Sequence, residues 1–190
     1  VGSEMCIRDS NKRDRNIFSK DELTALWAHK ANPYCQIILM LNYNACRISE
    51  FLDLKKENVH LKEQYFDVVA AKTENGVRKV PIADKLLPFY EAWFERSPCE
   101  YLLCTTEGQH LDYFNYCDTY WDPLMEEYDM KHTPHDTRHT CISMMADAGV
   151  APTIQKKIAG HSGAMSLTER VYTHLDIQTL IDGINMICPL

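Results

Sequence analysis

The stretch Thr133–Thr140, with the sequence TPHDTRHT, decides the fold because it joins a helix start to a cluster of ionisable side chains. Threonine before proline marks a helix N-terminus, since proline in the first helical position loses no hydrogen bond. The helix opened there is predicted to close at Gly149. The same stretch carries His135 and Arg138, so one helix supplies both structure and chemical groups.

Outward from this helix, the sequence predicts an α+β fold that is mainly α-helical, with a small antiparallel β-hairpin on one side. Ser19 and Glu22 form a capping box that starts the first helix, and Asn75-Gly76 is a hairpin-turn signal. The predicted helices span Lys20–His29, Tyr34–Tyr43, Ile48–Leu54, Asp84–Arg96, Asp112–Tyr128 with a bend at Pro123, Pro134–Gly149, Pro152–Ala159 and Thr168–His174, and the strands span Tyr65–Ala71 and Val77–Ile82.

The composition indicates one domain without a membrane span. The chain has 190 residues, 45% of them hydrophobic, and no apolar run long enough to cross a bilayer. Its eight cysteines include no C-x-x-C pair, which favours reduced thiols in a cytoplasm and disfavours a structural zinc site. We expect residues 1–15 to be an artefact or disordered leader and residues 16–190 to form the domain.

The formal charge of −7 is unusual for a protein that binds an anion such as DNA. Between Asp84 and Asp129, however, eleven acidic residues face only Lys85 and Arg96, a balance of −9, so the rest of the chain sums to +2. The acidic character therefore belongs to one solvated region, and an anionic substrate remains compatible with the rest.

Six dispersed residues have the combined chemistry needed to break and rejoin a phosphodiester. That reaction needs an attacking oxygen, charge stabilisation on the non-bridging oxygens and a proton for the leaving oxygen. A tyrosine can attack, arginine forks bind phosphate oxygens in pairs, and lysine or histidine can transfer protons. No Walker A sequence is present, and a covalent intermediate needs no cofactor. The six are Arg47, Lys72, His135, Arg138, His161 and Tyr172.

In their order and local sequences, these residues resemble the tyrosine recombinase, or phage integrase, family over its catalytic domain, roughly from Asn16 to Cys188. The motifs are Arg before Ile-Ser-Glu, a hairpin lysine, His-x-x-Arg-His-Thr, Gly-His-Ser and a tyrosine about a dozen positions later. The resemblance implies a site-specific recombinase whose Tyr172 forms a 3′-phosphotyrosine, with the other five residues activating the phosphate. Glu50 is then a supporting carboxylate, and neither a metal nor another cofactor is implied.

The resemblance also implies partners. Family members act as synaptic tetramers on paired double-stranded DNA sites, often docking a C-terminal helix onto a neighbour. The apolar stripe from Ile177 through Leu180, Ile181 and Ile184 to Ile187 suits either that exchange or packing on its own core. An N-terminal DNA-clamping domain, usual in the family, is not in this sequence. Ala45 occupies a position where the family often has glycine.

Two other classes fit parts of the pattern. His135-Asp136-x-x-His139 is similar to the H-E-x-x-H zinc motif, although aspartate is shorter than the expected base and no third ligand is evident. The second alternative is a DNA-binding remnant that does not cut DNA. Such a remnant would be expected to lose Tyr172 or one of the arginines first, and the sequence retains all of them. A type IB topoisomerase uses related chemistry, but the His-x-x-Arg and Gly-His-Ser combination fits a recombinase better.

Overall fold

The computed structural model describes residues 16–69, 77–105, 107–160 and 175–188. The helices in these ranges are α1 (Lys20–Ala28), α2 (Pro33–Asn42), α3 (Ile48–Leu52), α4 (Leu87–Arg96), α5 (Tyr113–Tyr116), α6 (Asp122–Glu127), α7 (Pro134–Asp147), α8 (Pro152–Ala159) and α9 (Ile177–Asn185). The strands are β1 (Val59–His60), β2 (Tyr65–Val68) and β3 (Arg78–Pro81). No helix in the described part of the chain is long and apolar enough to cross a membrane.

The three strands form one antiparallel sheet in the order β1-β2-β3. In the register of β2 and β3, Tyr65 lies opposite Pro81 and Val68 opposite Arg78. The predicted hairpin pairing is confirmed, with strands shorter than expected, while the two-residue β1 was missed because so short a run has no visible alternation. The predicted turn and Lys72 lie outside the described residues.

The N-terminal part of the chain is fastened to the start of α7. The capping box of α1 is confirmed: the Ser19 amide donates to Glu22 (2.7 Å), and the Glu22 amide donates to the Ser19 hydroxyl (3.2 Å). Glu22 also bonds His132 (3.1 Å), whose ring stacks on Phe18 with centroids 3.9 Å apart. The Phe18 amide donates to Thr140 on α7 (2.9 Å), so α1 and α7 are held together by polar bonds as well as packing.

The core is centred on α2, which packs against both α1 and α7. Asn32 caps this helix by accepting from the Tyr34 amide (2.9 Å), and Pro33 occupies its first turn. The prediction of a buried second helix is confirmed, since its sequence is apolar nearly all round. Its fully buried apolar side chains are Cys35, Ile37, Ile38, Leu39, Met40 and Leu41.

Two predicted helices contain irregular turns beside prolines. The segment from Asp84 begins as a 3₁₀ turn, Asp84–Leu86, before α4, because Pro88 has no amide hydrogen for the Asp84 carbonyl. The helix after Asp112 widens to a π turn over Cys117–Trp121 directly before Pro123 enters α6. The single helix expected over Asp112–Tyr128 is thus divided by a π turn before Pro123, and the bend expected at Pro123 stays a prediction.

The C-terminal helix α9 packs on β3 and α8 of its own chain. Leu180, Ile181 and Ile184 are buried there. Gly183 permits the close approach, because a Cβ at that position would lie 2.8 Å from Ile154 Cγ2 on α8. In this structure the apolar stripe thus covers its own core. The predicted helix Thr168–His174 lies outside the described residues.

Candidate active site

Arg47 stands at the N-terminus of α3, where its backbone and its side chain share one partner. The Arg47 amide donates to Glu50 Oε2 (3.0 Å), and its guanidinium donates to Glu50 Oε1 (2.7 Å). The Arg47 side chain is 50% exposed, whereas that of Glu50 is only 6% exposed. Glu50 therefore anchors the base of an arginine whose outer face remains open to a ligand.

Arg138 reaches the same place from α7. Its buried guanidinium donates to the carbonyl of Ala45, two residues before Arg47, and to the carbonyl of Ala159 (2.7 Å). Burial, followed by the charges of Arg47 and Arg78, lowers the pKa of Arg138. The fold thus brings the two predicted arginines together through the backbone that carries one of them.

Ala45 adopts a left-handed backbone with φ +53°, and its side chain is fully buried. Alanine is strained in this conformation, which glycine adopts readily. The conformation belongs to the turn between α2 and α3 that presents the Ala45 carbonyl to Arg138. With alanine where the family often has glycine, the turn is kept, and Arg138 still meets the backbone that carries Arg47.

Arg78 belongs to this cluster, although the sequence did not single it out. It begins β3, and its guanidinium donates to Glu50 Oε2 (2.9 Å), the Ile158 carbonyl (2.8 Å) and the Cys46 sulfur (3.6 Å). The available signal was strand alternation, because Arg78 is in phase with buried Val80 while Lys79 faces out. A charge at an inward position requires a partner, and Glu50 supplies it.

The electrostatics of this cluster follow from its burial. Burial alone would raise the pKa of Glu50, but hydrogen bonds and charge from Arg78 and Arg47 hold it below its usual range. Burial opposes the charge of Arg78, while neighbouring Cys46 and Glu50 raise its pKa. Burial raises the pKa of the Cys46 thiol to about 12. Three guanidiniums around one carboxylate leave a local excess of positive charge, which suits an anionic ligand.

The C-terminus of α8 is held by two of these arginines. Helix C-terminal carbonyls lack partners within the helix, and cations stabilise them. Here Arg78 takes the Ile158 carbonyl and Arg138 takes that of Ala159, while Gly160 turns the chain with φ +73°. A Cβ on Gly160 would lie 3.0 Å from the Arg78 guanidinium, so glycine is needed for the close approach as well as for the turn.

His135 lies exposed in the first turn of α7, which begins with a Thr133–Asp136 capping box. Its ring meets that of His139 edge to face, with centroids 4.6 Å apart. The residues in the described ranges include no group of three or more His, Cys, Asp or Glu side chains able to hold a metal ion. The zinc-motif interpretation therefore gains no third ligand from this part of the chain.

Three predicted residues, Lys72, His161 and Tyr172, lie outside the described residues. Their neighbours in sequence are placed. Lys72 belongs to the connection between β2 and β3, His161 directly follows Gly160, and Tyr172 precedes α9. The structure therefore brings Arg47, Arg138 and Glu50 together, adds Arg78 and exposes His135 on α7. The roles of all the predicted site residues stay predictions.

This helical fold carries one small antiparallel sheet, and it places the buried guanidiniums of Arg78 and Arg138 near the half-exposed guanidinium of Arg47. The model of the phage integrase family matches residues 16–179, and the chain belongs to that family. The resemblance to the phage integrase family and the predicted α+β fold class are both confirmed.

Several curated relatives are tyrosine recombinases named XerA. That of Thermococcus kodakarensis is 29% identical over 154 residues, covering 76% of this chain and 52% of the relative. That of Pyrococcus horikoshii is 27% identical over 173 residues, covering 87% and 59%. This chain therefore spans somewhat more than half the length of these relatives.

Solved structures support the fold. The Tn1549 transposon integrase bound to circular-intermediate DNA matches with a TM-score of 0.71 and 19% identity, covering 90% of this chain and 66% of that one. The XerA recombinase crystal structure matches with a TM-score of 0.68 and 24% identity, covering 92% of this chain and 66% of that one. The integrase of mycobacterium phage Brujita matches with a TM-score of 0.73 and 18% identity, covering 94% of this chain and 60% of that one.

Proposed function

We propose that this protein is a site-specific DNA recombinase that cuts and rejoins double-stranded DNA through a 3′-phosphotyrosine at Tyr172. The observation that carries the proposal is the convergence of Arg47 and Arg138. These arginines, from distant parts of a phage integrase family chain, meet through the Ala45 carbonyl and leave one guanidinium half exposed. This is the cationic, partly open setting that a phosphodiester requires.

The proposed reaction exchanges one phosphodiester for another. The Tyr172 hydroxyl gives its proton to His135 or His161 as its oxygen attacks phosphorus. The bond from phosphorus to the 5′ oxygen breaks, and that oxygen leaves as a hydroxyl after taking a proton from Lys72. Arg47 and Arg138 stabilise the charge on the non-bridging oxygens, and His135 and His161 brace the phosphate or move protons. Attack by another 5′ hydroxyl on the phosphotyrosine reverses these steps, so neither ATP nor a metal enters the balance.

The proposed partners are double-stranded recombination sites and further copies of the chain. The Tn1549 integrase structure contains circular-intermediate DNA, and XerH recombinase has been solved on its difH substrate. We extend DNA binding and a synaptic tetramer to this chain, acting in a bacterial cytoplasm. Exchange of the C-terminal helix between subunits would require α9 to leave the core that buries Leu180, Ile181 and Ile184.

A pool of nicked duplexes with randomised sequences tests this function for any target site. The nicks are placed so that a cleaved strand loses a short fragment by diffusion and the covalent adduct accumulates. The reaction is run at low salt with chelator and without ATP, because phosphate contacts dominate affinity and weaken with salt. A protein–DNA adduct that survives denaturation supports the proposal, and its DNA sequence identifies the site.

The matched control is Arg138→Lys. Lysine keeps the charge but cannot donate in a planar fork to two carbonyls and a phosphate, so adduct formation should fall by roughly 10² or more. If the pool yields no adduct although the protein retards the duplexes in a native gel, the function is that of a DNA binder that does not cut.

A further inference from the structure

Arg78 is almost completely enclosed, with a side chain only 2% exposed. Its guanidinium donates to other groups of the protein, so its effect on the reaction passes through these neighbours. Among the described residues, these neighbours include Glu50, Cys46, which directly precedes Arg47, and the Ile158 carbonyl at the end of α8. Each of them adjoins a residue of the proposed reaction.

The charge around Glu50 gives Arg78 a specific task. Glu50 holds Arg78 at 2.9 Å through one oxygen and Arg47 at 2.7 Å through the other. If Arg78 were absent, Arg47 would be the remaining arginine paired with Glu50 by these two bridges, and the carboxylate would neutralise its positive charge. With both arginines present, Arg47, Arg78 and Glu50 together carry a net charge of +1. Arg47 is the member of these three with the exposed side chain.

We propose that Arg78 is a positioning residue for phosphate binding: it neutralises Glu50, so that Arg47 keeps its charge for the scissile phosphate. The same guanidinium fastens the Ile158 carbonyl at the end of α8, the helix that precedes His161. This inference deepens the proposed function and rests on it. Buried Arg78 thus acts on exposed Arg47 through Glu50, the carboxylate that both arginines bind.

The first test is the single-turnover rate of adduct formation at saturating DNA. Arg78→Gln should lower the rate constant by roughly 10², the scale of losing one phosphate-stabilising donor, with little change in DNA affinity. Lys79→Gln is the matched control, because it removes a charge from the next residue of β3, whose side chain faces out over Tyr65. It should leave the rate constant close to that of the unaltered protein.

The second test is reversal by a second substitution. Glu50→Gln in the Arg78→Gln background removes the carboxylate that would neutralise Arg47, so the double variant should react at least about tenfold faster than Arg78→Gln alone. Arg78→Lys, which keeps the charge beside Glu50, should also react faster than Arg78→Gln, and it supplies the comparison if the glutamine variant fails to fold. A role in packing alone would reduce the reactive fraction and leave the rate constant of the folded molecules unchanged.

A measurement without catalysis separates this inference from the proposed function. Inorganic phosphate is titrated into each variant and followed by the NMR signals of the arginine Nε–H groups. Phosphate binding should weaken in Arg78→Gln and return in the double variant, even if the unaltered protein forms no adduct. Unchanged phosphate binding in Arg78→Gln, or a double variant slower than both single variants, would overturn the role of Arg78.

Discussion

At the scale of single residues, Ala45 shows how backbone geometry is kept at the site. Ala45 and Ala83 are both fully buried, but Ala45 has φ +53° and Ala83 has φ −65°. Substitution by glycine removes the same methyl group from each. Because left-handed backbone costs an L-residue roughly 1–2 kcal/mol, Ala45→Gly should destabilise the protein less than Ala83→Gly by about that amount.

Urea unfolding of the two glycine variants measures this difference as a change in the free energy of unfolding. An equal loss in both variants would show that Ala45 is not strained.

Glu50 couples the site to pH. Its pKa is lowered in the fold from an ordinary value of 4.5, so its charge contributes stability above that pH, and the contribution is lost as pH falls through the lower folded value. Glu50→Gln leaves buried Arg78 without its counter-charge and should cost about 3–5 kcal/mol at neutral pH.

The gap in unfolding free energy between Glu50→Gln and the unaltered protein should therefore narrow as pH falls below about 4.5, because the unfolded chain then binds a proton that native Glu50 does not bind until pH passes its lower folded pKa. Asp53→Asn is the control, since Asp53 ends the same helix with an exposed carboxylate. A gap that stays constant with pH would show that the charge of Glu50 is not what stabilises Arg78.

Lys72 is the predicted acid for the leaving oxygen. Lys72→Ala should cut normal DNA slowly and should be rescued substantially on DNA with a 5′-bridging sulfur, because a thiolate leaves without a proton. Rates on the oxygen and sulfur substrates give the comparison, with Arg138→Lys as a variant that sulfur should not rescue. Failure of sulfur to rescue Lys72→Ala would count against its role as the acid.

At the scale of elements, local chemistry made most helices predictable. Capping at Ser19, Thr133-Pro134 and Gly160 set helix ends that the structure confirms within a few residues. The 3₁₀ and π turns beside the prolines depend on which hydrogen bonds the neighbouring turns can make. Arg78 escaped prediction because its partner Glu50 is distant in sequence, and only the tertiary fold joins them.

The contact between α8 and α9 gives a prediction for an element. Alanine normally stabilises a helix relative to glycine by roughly 0.5–1 kcal/mol. Gly183→Ala should instead destabilise this protein by about 1–3 kcal/mol, because the new methyl would lie 2.8 Å from Ile154 Cγ2. The free energy of unfolding is again the measurement.

Ile154→Ala removes the atom in question and provides the control. Adding Gly183→Ala to that background should cost little or stabilise the protein. Additive losses in the double variant would mean that the α8–α9 approach is not limited by this contact.

At the scale of the whole molecule, the charge is divided between two regions. The segment from Asp84 to Asp129 carries a balance of −9 and supplies α4 to α6, whereas the arginine cluster joins the start of α3, β3, α7 and the end of α8. A net negative protein can thus present a cationic site. The sequence alone shows that the acidic residues are concentrated in one segment. That Arg47, Arg78 and Arg138 lie together could be seen only from the tertiary structure.

The most direct measurement is the mass of the DNA-linked peptide after proteolysis of the adduct, for the unaltered protein and Tyr172→Phe. The DNA remnant should lie on Tyr172, and the phenylalanine variant should form no adduct while binding DNA with nearly unchanged affinity, because only the attacking oxygen is removed. A remnant on another residue, or equal cleavage by Tyr172→Phe, would contradict a tyrosine recombinase mechanism at this site.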